Sequence, residues 1–414
     1  MISSERNYCE ASDVCQGALA DRRNADEQAR RLRAARAVTH WRSVIRKPLV
    51  DLGPYVPGPS AEDVRRRHGL SEVARLNWNE GLFGPLPGVL EEVATGLKDA
   101  WAYPDRTYGE LRESLATWLG ADVDQILPGH GIQALLLTLV AAFVEPGDRV
   151  VVPHPTYGLY AQACRAAGAR VERVAGPDLA LDLDLIAAAA HESDARLVFV
   201  CDPNNPTGLR LGAAEWAAFL DALPDGCVVV ADEAYADYVA PGERIDRLAD
   251  VAAGRPVVVL RTFSKIFGLA GLRLGYAVAD RALTPYLNSV QVPFNVNHAA
   301  LAAGCASLTR VHLVDDRREA TRDARRLLAG RLAAGGLRPL PSDANFLLTP
   351  LGTDDVAVAE ALAHRGLLVR PGSEFGLPGH ARITVGPPEL MERAADELLQ
   401  ARASVRAPGS RSAI

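Results

Sequence analysis

Val257-Val-Val-Leu-Arg-Thr-Phe-Ser-Lys265 is the stretch from which the fold is read. Its first four residues are apolar without polar alternation, as in a strand buried on both faces, and the run then breaks into hydroxyls and a lysine. A lysine between Ser264 and Ile266 in an otherwise apolar segment is unusual, because lysine seldom sits deep in a core without a partner. Three upstream runs share the form. Arg149 to Val152 ends at Pro153-His154-Pro155, Leu197 to Cys201 ends at Asp202-Pro203, and Val228 to Ala231 ends at Asp232-Glu233. Ala- and Leu-rich helical stretches separate them. From Leu76 to about Asp280 this alternation describes an α/β domain, a parallel sheet covered on both faces. Ligands of such sheets collect beyond the carboxyl ends of the strands, so the chemistry is expected just after each run.

The rest of the chain is organised around that domain. Residues 297 to 331 are helical in composition, and the charged stretch Asp315 to Arg326 reads as a solvated helix face. Asn345 to Leu348, Leu367 to Arg370 and Arg382 to Val385 are strand-like, and Pro388 to Ala403 reads as a closing helix, which together suggest a smaller α+β domain. Upstream, residues 1–47 are an Arg- and Ala-rich extension with a helix expected from Ala25 to Arg46. The turn formers Pro54-Tyr-Val-Pro-Gly-Pro59 and a short helix from Ala61 to Arg67 follow. The expected boundaries are therefore 1–47 extension, 48–75 arm or part of the small domain, 76–296 large domain, 297–405 small domain and 406–414 tail.

Composition narrows the function classes. The chain has 414 residues, 48% apolar and 23% charged, with 45 basic against 51 acidic side chains for a net charge of −6. That balance argues against a surface built to grip nucleic acid, which needs clustered Lys and Arg. Six cysteines form no Cys-x-x-Cys pair and are too sparse for a disulfide framework, so a reducing, cytoplasmic setting is expected. The longest mostly apolar stretch, Ile132 to Val144, falls short of the roughly 20 residues a bilayer demands, and no secretory or organellar leader pattern precedes it. The nine histidines show no metal-ligand spacing along the chain, and no metal is expected.

Four segments after strands are best read together: Asp202-Pro-Asn-Asn-Pro-Thr-Gly208, Ala231-Asp-Glu-Ala-Tyr235, Arg261-Thr-Phe-Ser-Lys265 and Leu272-Arg-Leu-Gly-Tyr276. Taken singly, Lys265 could snorkel to solvent, Asp232 could be a helix N-cap, and Arg273 or Arg382 could serve structure alone. Jointly they match what pyridoxal 5'-phosphate requires. An aldehyde needs an amine, a pyridine nitrogen needs a buried carboxylate to keep it protonated, a ring oxygen needs neutral donors, and a phosphate needs amides, hydroxyls and a cation.

On these segments the chain resembles fold-type I pyridoxal-phosphate enzymes, within them the class I/II aminotransferases and their histidinol-phosphate aminotransferase branch. The resemblance runs from about Leu52 to the C-terminal helix. It is carried by Asn204-Asn-Pro-Thr-Gly208, Asp232-Glu-Ala-Tyr235, Arg261-Thr-Phe-Ser-Lys-Ile-Phe-Gly-Leu-Ala-Gly-Leu-Arg273 and Ala381-Arg-Ile-Thr-Val-Gly386. It implies a large domain with a mostly parallel seven-stranded sheet between helices and a smaller α+β domain. It also implies a homodimer with interface active sites that moves an amino group between an amino acid or amine and a 2-oxo acid. By the same resemblance Lys265 holds the cofactor as a Schiff base and shuttles the proton, and Asp232 pairs with the ring nitrogen. Asn205 and Tyr235 bond the ring oxygen, and Tyr157 stacks on the ring. Gly131, Ile132, Gln133, Thr262, Ser264 and Arg273 would form the phosphate cup, completed by Tyr103 from a neighbouring subunit. Arg382 would bind the substrate's anionic group, with Asn79, Tyr55 and Arg370 lining the substrate side. His130 stands beside the phosphate turn as a further contact.

The chain departs from the family where Leu76-Asn-Trp-Asn-Glu-Gly-Leu-Phe-Gly-Pro85 carries Gly81-Leu82 in place of Asn-Pro and brings in Trp78. Other reactions share the cofactor and the same Lys265 and Asp232: decarboxylation of the threonine-phosphate decarboxylase kind, β-elimination at a C–S bond, and oxidative deamination. A regulatory, non-enzymatic cofactor-binding protein would usually carry a DNA-binding segment, and residues 1–47 contain no helix-turn-helix pattern.

Overall fold

The computed structural model describes residues 41–53 and 58–405. The chain divides into two units, Met1–Gly53 and Pro54–Ile414. In the first, residues 41–44 are helical, a helical turn spans Lys47–Val50, and Arg42 pairs with Asp51 at 3.3 Å. Of the expected Ala25–Arg46 helix, residues 25–40 lie outside the described residues, as does the tail at 406–414, and Ile45 and Arg46 are not helical.

The second unit is built on two sheets. Strands β1 (Ala74–Leu76), β2 (Ile126–Gly129), β3 (Arg149–His154), β4 (Arg170–Ala175), β5 (Leu197–Cys201) and β6 (Val228–Asp232) are followed by β7 (Val257–Thr262), β8 (Gly275–Val278), β9 (Phe346–Pro350), β10 (Leu367–Pro371) and β11 (His380–Thr384). The larger sheet has the order β2-β8-β7-β6-β5-β3-β4. Strands β3 to β7 run parallel, and β8 is antiparallel to both of its neighbours. Seven strands, mostly parallel, is the expected architecture.

The apolar runs are explained by burial on both faces. Val198, Val200, Val229, Ala231, Val257 and Val259 feed one core. Their alternating neighbours Leu197, Phe199, Cys201, Val230, Val258 and Leu260 feed a second core on the opposite face. A strand buried this way has no polar side, and each enclosed Val, Leu or Phe contributes about 1.5–3 kcal/mol.

The smaller sheet has the order β1-β10-β11-β9, with β1 parallel to β10 and the other pairs antiparallel. Its core joins the helices Val314–Ala334 and Pro388–Ser404 through Ala324, Leu328, Leu332, Met391 and Leu398. The helix His298–Leu308, read from sequence as the start of the smaller domain, packs instead within the larger sheet's core through Ala300, Ala303, Ala306 and Leu308. Its small apolar residues fit against Val89 and Val93 of the helix Val89–Gly96, a packing that composition does not announce. Among the described residues no helix is long and apolar enough to cross a membrane.

Candidate active site

The carboxyl ends of β5, β6 and β7 and one end of the smaller sheet enclose a cavity of about 630 Å³. Lys265, three residues beyond β7, reaches its floor and is half-buried. Its Nζ donates to the carbonyls of Asn79 at 2.7 Å and Trp78 at 3.2 Å and stands 5.4 Å from the centre of the Tyr235 ring. Burial, with Arg382 next, pulls the Lys265 ammonium down to about 7. Near neutrality a large share of that amine is therefore unprotonated.

Asp232 closes β6 and is buried. Its Oδ2 accepts from the Tyr160 hydroxyl at 2.6 Å and its Oδ1 from the Ala234 amide at 3.0 Å. Burial pushes its carboxyl above the usual carboxylate range against these bonds. Two neighbouring carboxylates are handled differently. Asp202 meets Arg247 at 2.7 Å, and Glu233 meets Arg247 at 3.0 Å and Arg261 at 2.7 Å, all of them buried. This network clamps the loops after β5 and β6 to β7. Asp232 makes no salt bridge among the described residues and lines the cavity instead. A buried carboxylate that faces a pocket, held by neutral donors, is suited to a cationic ligand atom.

Above it, the Tyr235 hydroxyl accepts from Asn79 Nδ2 at 3.1 Å and Asn205 Nδ2 at 3.4 Å. Burial raises the Tyr235 hydroxyl well above its ordinary value, so it stays a neutral donor. Asn79 sits at φ +54°, a left-handed conformation Asn tolerates. The Thr384 hydroxyl fixes it there, accepting from its amide at 3.0 Å and donating to its Oδ1 at 3.2 Å. Tyr157 lines the wall and accepts from Gln133 Nε2 at 2.7 Å.

A second end of the cavity gathers donors of the kind an anion accepts from. Gly131 starts the helix Gly131–Phe143, whose first-turn amides have no intrahelical partner, and Ile132 and Gln133 from that turn line the cavity. Gly131 has φ +74°, and a Cβ there would stand 2.7 Å from Arg273 Nη2. Arg273 donates to the Ala270 carbonyl at 2.9 Å and the Ser264 hydroxyl at 3.5 Å. Thr262 lines the cavity, but its hydroxyl proton goes to the Leu274 carbonyl at 3.2 Å, and its oxygen accepts from the Ser264 amide at 3.0 Å.

A third end carries two arginines. Arg370 on β10 and Arg382 on β11 are directly paired across the sheet, so both project from one face into the cavity. Arg382 donates to Asn205 Oδ1 at 2.5 Å and the Asn77 carbonyl at 2.7 Å, and Arg370 pairs with Glu374 at 2.5 Å. Nearby, Gly376 lies against His154, whose imidazole is held below its usual range by burial and Arg173.

The structure thus gathers most of the expected site residues around one cavity. Gly131 stands behind Arg273 at its rim. Tyr103 is 82% exposed and stacked on Phe294 at 4.8 Å, away from this chain's own cavity. His130 is exposed and does not line it. Tyr55 lies outside the described residues. Sequence reasoning missed Tyr160, Glu374, Arg173 and His154. A signal existed for His154, which follows the apolar run Arg149 to Val152, and for Tyr160, a second tyrosine three residues past Tyr157 where a helix begins.

A family profile described as aminotransferase class I and II matches residues 71–398. A histidinol-phosphate aminotransferase of Symbiobacterium thermophilum is 39% identical over 86% of this chain and 98% of its own length. An aromatic amino acid aminotransferase of Nocardia farcinica is 41% identical over 86% and 98%. The crystal structure of histidinol-phosphate aminotransferase from Sinorhizobium meliloti in complex with pyridoxal-5'-phosphate superposes with a TM-score of 0.80 at 30% identity, covering 87% of this chain and 98% of that one.

Proposed function

The chain belongs to the class I and II aminotransferases, and we propose that Lys265 is the residue on which its amino-group transfer between an amino donor and a 2-oxo acid turns. The observation that carries this is the pairing, in one cavity, of a lysine pulled to about 7 with a buried carboxylate that forms no salt bridge among the described residues. These residues fit pyridoxal 5'-phosphate, the cofactor of this enzyme class. Asp232 answers a protonated ring nitrogen, Asn205 and Tyr235 a ring oxygen, and Tyr157 a ring face. The amides of Gly131, Ile132 and Gln133 with Ser264 and Arg273 answer a phosphate. Thr262 would contribute through its fixed position, because its proton is already given to Leu274. Bound there, the cofactor supplies an aldehyde that condenses with amines and a ring that withdraws electrons from the bonds to the donor's α-carbon.

The residues then divide the work. Lys265 Nζ, unprotonated in large part near neutrality, would carry the proton from the donor's α-carbon to the cofactor and, in the second half-reaction, carry one back to the α-carbon of the new amino acid. Asp232 stays charged by holding the proton at the ring nitrogen, and Tyr160 and Ala234 keep that carboxylate oriented. Arg382, its fork fixed by Asn205 and Asn77, binds the donor's anionic group. Arg173 adds positive charge at that end, where Arg370 is balanced by Glu374, and the surplus over Arg382 alone favours an anion; Asn79 holds the Tyr235 hydroxyl.

For the donor, the arginine-rich end and the 39% identical relative support histidinol phosphate or a compound like it. An aromatic amino acid is the second reading, supported by Trp78, Tyr157 and Phe375 in the lining and by the 41% identical relative. No feature of the cavity favours decarboxylation, elimination or oxidation. A homodimer would cover the exposed apolar side chains Trp101, Tyr103, Tyr286 and Val292 and carry Tyr103 to a neighbouring subunit's phosphate end. The four described cysteines are free thiols, in keeping with a cytoplasmic enzyme.

The test is to incubate the holoenzyme with histidinol phosphate, phenylalanine or tyrosine, each with and without 2-oxoglutarate, and identify products by mass spectrometry. Keto product and glutamate in equal amounts, fastest with histidinol phosphate and absent in Lys265→Ala, is expected. Carbon dioxide, a thiol or peroxide as the main product would refute transamination, and turnover faster with phenylalanine would select the second reading.

A further inference from the structure

Away from the cavity, and independent of the transferase reading, three side chains remote in sequence converge. His68 ends the helix Ala61–His68, Glu360 lies on the helix Asp355–Ala363, and His364 caps that helix one turn later. The convergence follows from packing. Val64, one turn before His68, is fully buried against Ala363 and Leu368, so His68 on the same face points at the end of the facing helix. The Nε2 atoms of His68 and His364 each lie 3.7 Å from Glu360 Oε1, and the ring centroids are 3.9 Å apart at 54°. All three prospective ligand atoms lie within 4.8 Å of one another.

His68 makes this more than a surface cluster. Its side chain is only 7% exposed, and its Nε2 has no hydrogen-bond partner. A buried imidazole nitrogen aimed at a carboxylate and a second imidazole, without a hydrogen bond, is an unsatisfied polar atom that a bound ion would satisfy. Around a tetrahedral zinc ion neighbouring ligand atoms stand about 3.3–3.5 Å apart, so small rotations of the half-exposed Glu360 and exposed His364 would close the site. Two imidazoles and a carboxylate suit zinc and its transition-metal neighbours better than calcium or magnesium, which prefer all-oxygen sites.

We propose that His68, Glu360 and His364 form a binding site for a divalent transition-metal ion of the zinc class, with water in the fourth position. The ion would tie the helix Ala61–His68 to the helix Asp355–Ala363. Ten residues before His68, a Cβ placed on Gly58 would stand 3.4 Å from Arg370 Nη1, so the tethered segment is the one that flanks the arginine-rich end of the cavity. Along the chain His68 and His364 are too distant for any spacing rule to connect them.

The full-length holoenzyme, freed of metal with a chelator, is titrated with Zn²⁺ by calorimetry and with Co²⁺ by visible absorption. Wild type is expected to take up one equivalent that is lost or weakened at least about tenfold in His364→Ala, Glu360→Gln and His68→Asn. The cobalt bands should fade in parallel, and Zn²⁺ should raise the melting temperature of wild type alone. His364 is exposed and remote from the cavity, so His364→Ala should keep wild-type transferase activity and show that the fold is intact. A wild type that binds no ion below about 100 µM would overturn the proposal. So would His364→Ala binding the same number of equivalents with the same affinity, or His68→Asn retaining the site.

Discussion

Replacing Tyr160 by Phe removes one oxygen and leaves the rest of the residue in place. The ring stacks on Phe199 with centroids 4.9 Å apart and planes 7° from parallel, a contact that phenylalanine keeps. What is lost is the 2.6 Å bond to Asp232 Oδ2. That bond favours the charged carboxylate, so without it the Asp232 carboxyl is pushed further up, in the direction burial already drives it. The cofactor-free protein escapes the penalty by taking a proton. The loaded protein cannot, because the ring nitrogen needs the carboxylate charged. A hydrogen bond to a charged group is worth about 1.5–3 kcal/mol, equivalent to about 10- to 150-fold in affinity. Ala234 still donates to the other oxygen, which places the expectation for Tyr160→Phe at the lower end, a roughly tenfold weaker Kd for pyridoxal phosphate. Fluorescence titration of the cofactor-free proteins measures it, with circular dichroism as the check on folding. A Kd within about twofold of wild type would refute the view that Tyr160 keeps Asp232 charged for the cofactor.

Three further outcomes are expected. Because burial and Arg382 pull Lys265 to about 7, its unprotonated share rises with pH through that value, so stopped-flow cofactor uptake should speed up about tenfold from pH 6 to 8 and then level. A rate still climbing steeply toward pH 10 would indicate an ordinary lysine. Arg382→Ala should lower kcat/KM for the donor about 100-fold, and Arg382→Lys should recover only part of it, since the ammonium lacks the fork that meets Asn205 and Asn77; steady-state kinetics decide this. Glu233→Gln leaves Arg261 without its buried carboxylate, while Arg247 keeps Asp202, and should cost about 3–5 kcal/mol by denaturant unfolding, whereas an unchanged midpoint would mean the network holds without that charge.

The residues after β5, β6 and β7 could be read from sequence because those strands are enclosed on both faces, and the apolar run ends where the pocket begins. Edge strands and very short strands were harder to see. β4 is an edge strand whose Arg170, Glu172 and Arg173 face solvent or the cavity rim, and β1, β2 and β8 have only three or four residues each. The helix His298–Leu308 is apolar on most sides, so nothing in its pattern assigns it to one sheet or the other. Within the site, residue type located Asp232, Asn205, Lys265 and Arg273. It did not show that the Thr262 proton is already committed to Leu274, nor that Tyr160 and not a cation satisfies Asp232. Those facts depend on which hydroxyl reaches which acceptor, whereas the Arg370–Arg382 register and the meeting of His68 with His364 depend on how segments distant in sequence pair and pack.

The most direct test treats the pyridoxal-phosphate-loaded protein with borohydride, which fixes the aldehyde carbon permanently to whichever amine holds it, and maps the modified peptide by mass spectrometry. One cofactor-derived mass per chain on Lys265, with none elsewhere and none in Lys265→Ala, is the expected result. Label on another lysine, or a protein that takes up no cofactor while correctly folded, would contradict the assignment of Lys265 and the roles built around it.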